Sequence, residues 1–225
     1  MKITVIDYGM GNLHSVAKAL EKVGATVTVS SKAPDIKAAD KIVLPGVGSF
    51  GDCMRNLQNY ELVPAISAAL DSGKQFLGIC LGMQLLFDGS EESPEIAGIG
   101  YLSGQVRKIV APGLKIPHIG WNNLDLNAQA AKLSAPSILA DSNNDYVYFV
   151  HSYHCVPQDS SIISAYTDYG NKITASIGID NIQATQFHPE KSSVAGLKIL
   201  SKFVGAYIPP TETRSKKCLF FQQLI

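Results

Sequence analysis

Lys74-Gln-Phe-Leu-Gly-Ile-Cys-Leu-Gly-Met-Gln-Leu-Leu-Phe87 is the stretch on which this sequence turns. Gln75 to Ile79 is a short apolar run bounded by a polar residue, the pattern of a strand buried on both faces of a parallel sheet. Leu81 to Phe87 reads as a helix with an apolar stripe. Cys80 sits between them, flanked by Gly78 and Gly82. A Gly-x-Cys-x-Gly turn from strand into helix has the form of a nucleophile elbow, with sulfur in place of a serine oxygen. The turn is cramped, and neighbours without Cβ relieve the crowding. A helix starting here would set its unpaired N–H groups beside the sulfur, the electrostatic setting a nucleophilic sulfur needs. A buried structural cysteine is the competing reading, because free cysteine is commonly core. The remainder of the chain decides between them.

Upstream, Ile3 to Ile6 is strand-like and Leu13 to Val23 has a helical stripe of Val16, Ala19, Leu20 and Val23, closed by Gly24. Ala25 to Ser30 and Asp40 to Leu44 are further strands, and helices are expected near Asp52 to Gln58 and Leu62 to Leu70. Asp7-Tyr-Gly-Met-Gly-Asn12 is not a dinucleotide fingerprint, since His14 stands where a third glycine is required. Its glycines suit a tight strand-to-helix turn. Asp88 to Pro94 reads as a polar loop. Strand candidates then follow at 104–110, 145–150, 162–166, 173–179 and 182–186, the last two joined by an Asp180-Asn181 turn. A closing helix is expected from Ser193 to Tyr207. The fold class is therefore α/β: a mainly parallel central sheet flanked by helices, with an antiparallel extension in the C-terminal half. One domain over residues 1–208 is expected, followed by a tail, 209–225, that begins at the helix-stopping Pro209-Pro210.

The 225 residues, 46% hydrophobic and 17% charged, suffice for one sizeable core. Nineteen basic side chains balance nineteen acidic ones, which gives no electrostatic case for nucleic acid or an anionic membrane. No apolar run is long enough to span a bilayer. Met1 leads directly into a strand pattern and not a signal peptide, and the four cysteines lack metal or disulfide spacing, so a cytoplasmic protein with free thiols and no metal or cofactor is expected.

Gln186-Phe-His-Pro-Glu190 supplies the complement to Cys80. Pro189 prevents a regular ladder, and a carboxylate two residues from an imidazole can hold one ring nitrogen while the other faces the thiol. Thiol, imidazole and orienting carboxylate form a triad: Cys80, His188 and Glu190. On these motifs the chain resembles the class I (triad) glutamine amidotransferase family. Leu44-Pro-Gly-Val-Gly48, Pro117-His-Ile-Gly-Trp-Asn122, Val150-His-Ser-Tyr153 and Gln186-Phe-His-Pro-Glu-Lys-Ser192 are further similar to the glutaminase subunits of imidazole glycerol phosphate synthases. The resemblance implies hydrolysis of L-glutamine through a Cys80 thioester. Oxyanion donors would come from Leu81 and from Gly46, Val47 and Gly48, with Gln84, Ser152 and Tyr153 holding the substrate. It also implies a (β/α)8 cyclase as partner in a heterodimer, docked through Asn12, Pro117 and Trp121, to receive the ammonia. The rival readings are a glutaminase subunit for an anthranilate or aminodeoxychorismate synthase, and a stand-alone α/β cysteine hydrolase.

Overall fold

The computed structural model describes residues 1–127 and 137–205. Its first half alternates strand and helix: β1 (Lys2–Ile6), α1 (Leu13–Lys22), β2 (Thr26–Ser30), α2 (Ala33–Ala38), β3 (Lys41–Gly46), α3 (Phe50–Asn59), α4 (Val63–Asp71) and β4 (Gln75–Cys80). The six-residue α2 fills a crossover that shows no helical stripe in the sequence. Pro34 in its first turn fits a helix start, and Ile36 is its single fully buried anchor. From β1 to β4 each crossover between consecutive parallel strands carries a helix, the usual form of such connections.

Beyond β4 come α5 (Leu81–Gln84), β5 (Phe87–Ser90), β6 (Leu102–Lys108), β7 (His118–Asn123), β8 (Asp125–Leu126), β9 (Tyr146–His151), β10 (Tyr153–Pro157), β11 (Ile163–Asp168), β12 (Lys172–Ile179), β13 (Ile182–Thr185) and α6 (Ser193–Val204). The helix expected over 81–87 is one turn long. The carbonyls of Leu85 and Leu86, which would continue it, accept instead from Ile99 N and Leu102 N at 2.8 and 2.9 Å. Phe87 then opens a strand, so the first three residues of the expected 88–94 loop belong to β5, paired in parallel with β6. The closing helix is described to Val204; its expected end at Tyr207, the 208 boundary and the tail lie outside the described residues.

The main sheet runs β2-β1-β3-β4-β13-β12-β11-β8. The first five strands are parallel, β13 included, and the antiparallel extension is β12, β11 and β8. Two smaller sheets, β10-β6-β5 and β7-β9, stand apart from it. Side chains alternate between two layers: Val5, Val43 and Leu77 pack with α1 and α6 residues such as Leu20 and Phe203, while Ile6, Ile42 and Phe76 pack with Phe50, Leu57 and Ile66. Burial on both faces explains the unbroken apolar runs of β3 and β4. No helix among the described residues is long and apolar enough to cross a membrane.

Candidate active site

Strand register builds the site before any side chain is considered. β3 pairs with β4 so that Gly46 lies opposite Cys80, and β13 pairs with β4 so that Thr185 lies opposite Ile79. The chain leaving β3 is therefore Val47-Gly48, and the chain leaving β13 is Gln186-Phe-His-Pro-Glu190. Both flank Cys80 at the carboxyl ends of parallel strands, where sites in such sheets collect.

Cys80 has φ +55° and ψ −112°, a region L-residues seldom adopt, at a cost of about 1–3 kcal/mol. Packing holds it there. A Cβ on Gly82 would fall 1.8 Å from Leu44 O, and one on Gly78 would fall 2.7 Å from Gly82 O. These glycines let the turn press against β3. Because α5 is a single turn, its macrodipole is weaker than a longer helix would supply, and side-chain partners carry more of the electrostatics.

His188 Nδ1 lies 2.8 Å from Glu190 Oε1, and both side chains are buried. Its Nε2 makes no geometric hydrogen bond among the described residues, and the Cys80 sulfur lies near enough to act on the ring. Burial opposes the imidazolium, but the Cys80 sulfur and the Glu190 carboxylate outweigh it and raise the His188 pKa to about 10. The residue is anchored from behind: His188 N donates to Tyr148 O at 2.9 Å, and Ser192 Oγ donates to His188 O at 2.6 Å. The arrangement sets a histidine that favours its protonated form beside the Cys80 sulfur.

These groups open onto a cavity of about 280 Å³, at the small end for ligand sites. Of the residues expected around the substrate, Val47, Gly48, Leu81, Gln84, Ser152 and Tyr153 all line it, as does Pro117. Gly46 does not; it packs behind, where a Cβ would meet Leu81 Cβ at 2.7 Å and Tyr8 Oη at 2.9 Å. Gly48 has φ +99°, which its lack of a Cβ permits. The Val47 carbonyl accepts from Cys53 Sγ at 3.5 Å, and Cys53 is not part of the cavity wall. Gln84 is nearly fully buried, and its amide nitrogen donates to Gln186 Oε1 at 2.9 Å and to Tyr153 O at 3.0 Å.

Three features escaped the sequence reading. Glu92 lines the cavity and accepts from Phe50 N at 2.7 Å; its setting in a polar segment concealed it. Gln186 touches Cys80. His118 and His151 form a buried pair, Nδ1 to Nε2 at 3.1 Å, with His151 on the cavity wall. Their strands, β7 and β9, align His118 with His151 directly, a pairing visible only once the register is known.

The outer face of the same two strands is apolar. Ile119, Trp121 and Tyr146 are 59%, 52% and 61% exposed, and Trp121 meets Tyr148 edge-on at 6.1 Å. Trp121 is thus a surface aromatic, not a core one. Asn12 is exposed and caps α1, accepting from Ser15 N at 3.3 Å.

A doubly covered parallel sheet with cysteine at an elbow and His-x-Glu on the neighbouring strand end is the arrangement of a triad amidotransferase. The model of the family described as "Glutamine amidotransferase class-I" matches residues 4–206, and the chain belongs to that family. Within it, the chain is 51% identical over 205 residues to imidazole glycerol phosphate synthase subunit HisH of Aquifex aeolicus, covering 90% of this chain and 96% of the relative. It is 52% identical to the HisH subunit of Gloeothece citriformis, with coverage of 90% and 95%. Matches at this level put the chain among the HisH subunits. Among solved structures, a glutamine amidotransferase superposes with TM-score 0.69 at 14% identity, over 91% of this chain and 99% of that one. The structure of PurLQS from Thermotoga maritima gives 0.67 at 21%, over 91% and 97%. Those likenesses speak for the fold.

Proposed function

We propose that this chain is a cytoplasmic glutaminase subunit that hydrolyses L-glutamine and passes the ammonia to a (β/α)8 cyclase partner forming imidazole glycerol phosphate and AICAR. The observation that carries the reading is the buried array of Cys80, His188 and Glu190, of which Cys80 and His188 line a small cavity. Cys80 sulfur, as thiolate, attacks the carboxamide carbon and the carbonyl oxygen takes up the negative charge. N–H groups of Leu81 and of the Val47-Gly48 segment are the donors for that oxyanion, each worth about 3 kcal/mol in the transition state. The His188 imidazolium gives its proton to the amide nitrogen, the C–N bond breaks, and ammonia leaves a glutamyl thioester. Neutral His188 then takes a proton from water, the hydroxide oxygen adds to the thioester carbon, and glutamate departs as the thiolate returns. Glu190 holds the imidazole tautomer throughout. Glu92 on the cavity wall is suited to the substrate's α-ammonium, and Ser152 and Tyr153 to its polar atoms.

Ammonia released to water is protonated and loses its nucleophilicity, so the product needs a partner that receives it directly. The exposed Ile119, Trp121 and Tyr146 face runs beside the cavity wall at Pro117 and Val150 and has the aromatic composition of a docking centre. The domain is taken as residues 1–208. Glutamate release is measured for the chain alone, and with the cyclase and its nucleotide ligand. Stimulation by the liganded cyclase is expected, with loss of turnover in Cys80→Ala. Turnover that ignores both the cyclase and Cys80 overturns the reading.

A further inference from the structure

Gln186 stands one residue past the pair of Thr185 with Ile79, so the parallel register carries it to the level of Cys80. It is fully buried, and its carboxamide nitrogen donates to Cys80 Sγ at 3.6 Å. Its oxygen accepts from Gln84 Nε2 at 2.9 Å, and Gln84 Nε2 also donates to Tyr153 O at 3.0 Å. A primary amide carries two N–H donors, so Gln84 has none left for the cavity. The same chain orients Gln186. Facing a nitrogen that only donates, Gln186 offers its oxygen to Gln84 and its N–H to the sulfur. Rotated by half a turn, it would set two NH2 groups against each other and an oxygen against the sulfur.

We propose that Gln186 is a further catalytic residue whose N–H stabilises the anionic Cys80 sulfur, and that Gln84 is the positioning residue that keeps it in that orientation. This rests on the glutaminase reading above. Cys80 is 5% exposed, and a buried anion is costly unless it is both paired and hydrogen-bonded. His188 provides the charge on one side, and Gln186 provides a fixed neutral donor on another. A neutral donor stays in place while His188 gives up and regains its proton, so the sulfur keeps one partner through the cycle. The thioester sulfur carries no negative charge, which makes the bond strongest before attack and after release of glutamate.

The test uses the assembled synthase and two readouts: kcat and KM for glutamine hydrolysis, and the rate at which iodoacetamide alkylates Cys80, followed on its peptide by mass spectrometry. Gln186→Leu is expected to lower both kcat and the alkylation rate by about 10- to 100-fold, the range for losing a hydrogen bond to a charged group. Gln186→Glu, of the same volume, is expected to fall at least as far because it sets a carboxylate against the sulfur. Gln84→Met is expected to lower both rates by a smaller factor with KM unchanged. An alkylation rate in Gln186→Leu and Gln186→Glu equal to that of the native protein overturns the proposal. So does Gln84→Met acting through KM alone, the mark of a substrate ligand. Alkylation requires no glutamine, so it still reads the sulfur if hydrolysis persists in Cys80→Ala and the glutaminase reading itself fails.

Discussion

His188 and His151 line one cavity, with His118 paired to His151, yet the protonation of His188 and of the pair runs in opposite directions. His188 is raised to about 10. Burial lowers His118 to about 4 and His151 to about 3, the Tyr153 carbonyl offsetting only part of the effect on His151 while His118, His154 and His188 add to it. Burial disfavours the cation at all three. The difference is the partner: His188 has a carboxylate at 2.8 Å and the Cys80 sulfur acting on it. The pair has each other, the amide of Asn122 at 3.4 Å from His118, and the rings of Tyr169 and Phe149 stacked on His118 at 4.0 and 4.8 Å. One histidine is built to carry charge and two are built to stay neutral. A buried histidine's chemistry is therefore read from what faces it.

The largest effect should come from removing the charged side of this comparison. Cys80→Ala and His188→Ala are each expected to reduce glutamine hydrolysis on the order of 10⁶-fold, and the double variant no further, because triad residues act as a unit. Glutamate release measures it; an essential His151 beside a dispensable His188 would reverse the comparison. Next, Glu190→Gln strips His188 of its carboxylate and makes it resemble the pair. A loss of about 10⁴-fold is expected, smaller than for the nucleophile, with the His188 pKa falling from about 10 in an NMR titration. Trp121→Ala, on the outer face of the sheet whose inner face holds the pair, should weaken cyclase docking roughly 30-fold while the chain alone keeps its rate. Surface plasmon resonance at fixed salt measures this.

The smallest effects concern stability. His188 has a raised pKa in the folded state, so its contribution is fully present below about pH 6.5 and is lost as pH climbs through about 10. His118 and His151 have lowered values, so theirs is present above about pH 6.5 and is lost as pH falls toward about 4 and about 3. Urea midpoints across pH should show both limbs. His151→Gln should flatten the acid limb and change the hydrolysis rate only a few-fold. A flattened alkaline limb in that variant would assign the groups the wrong way round.

Parts of the fold that depend on local periodicity were legible in the chain. The apolar runs of β3 and β4, the stripe of α1 and the Asp180-Asn181 hairpin all appear as the residues suggest. Where the reading missed, distant partners decided. Leu85-Leu86-Phe87 continues a helical stripe on paper, but Ile99 and Leu102 capture the carbonyls it would need. β7 and β10 were hidden because Pro117-His-Ile-Gly-Trp-Asn122 and Tyr153-His-Cys-Val-Pro157 alternate poorly, and each is a strand by virtue of its neighbour.

At the site the division is sharper. The sequence by itself singled out Cys80, His188 and Glu190 and the form of the turn that presents the cysteine, because a Cβ at 78 would meet Gly82 O within that turn, a local steric requirement, whereas the clash at 82 is with Leu44 of β3. It also determined that a carboxylate stands two residues from the histidine, within reach through short covalent geometry. Tertiary structure alone decided which histidines hold a proton, which face of β7 meets solvent, and that the nitrogen of Gln186 meets the sulfur of a residue 106 positions away. Those outcomes depend on desolvation and on partners brought together by strand register, and neither is encoded at any single position.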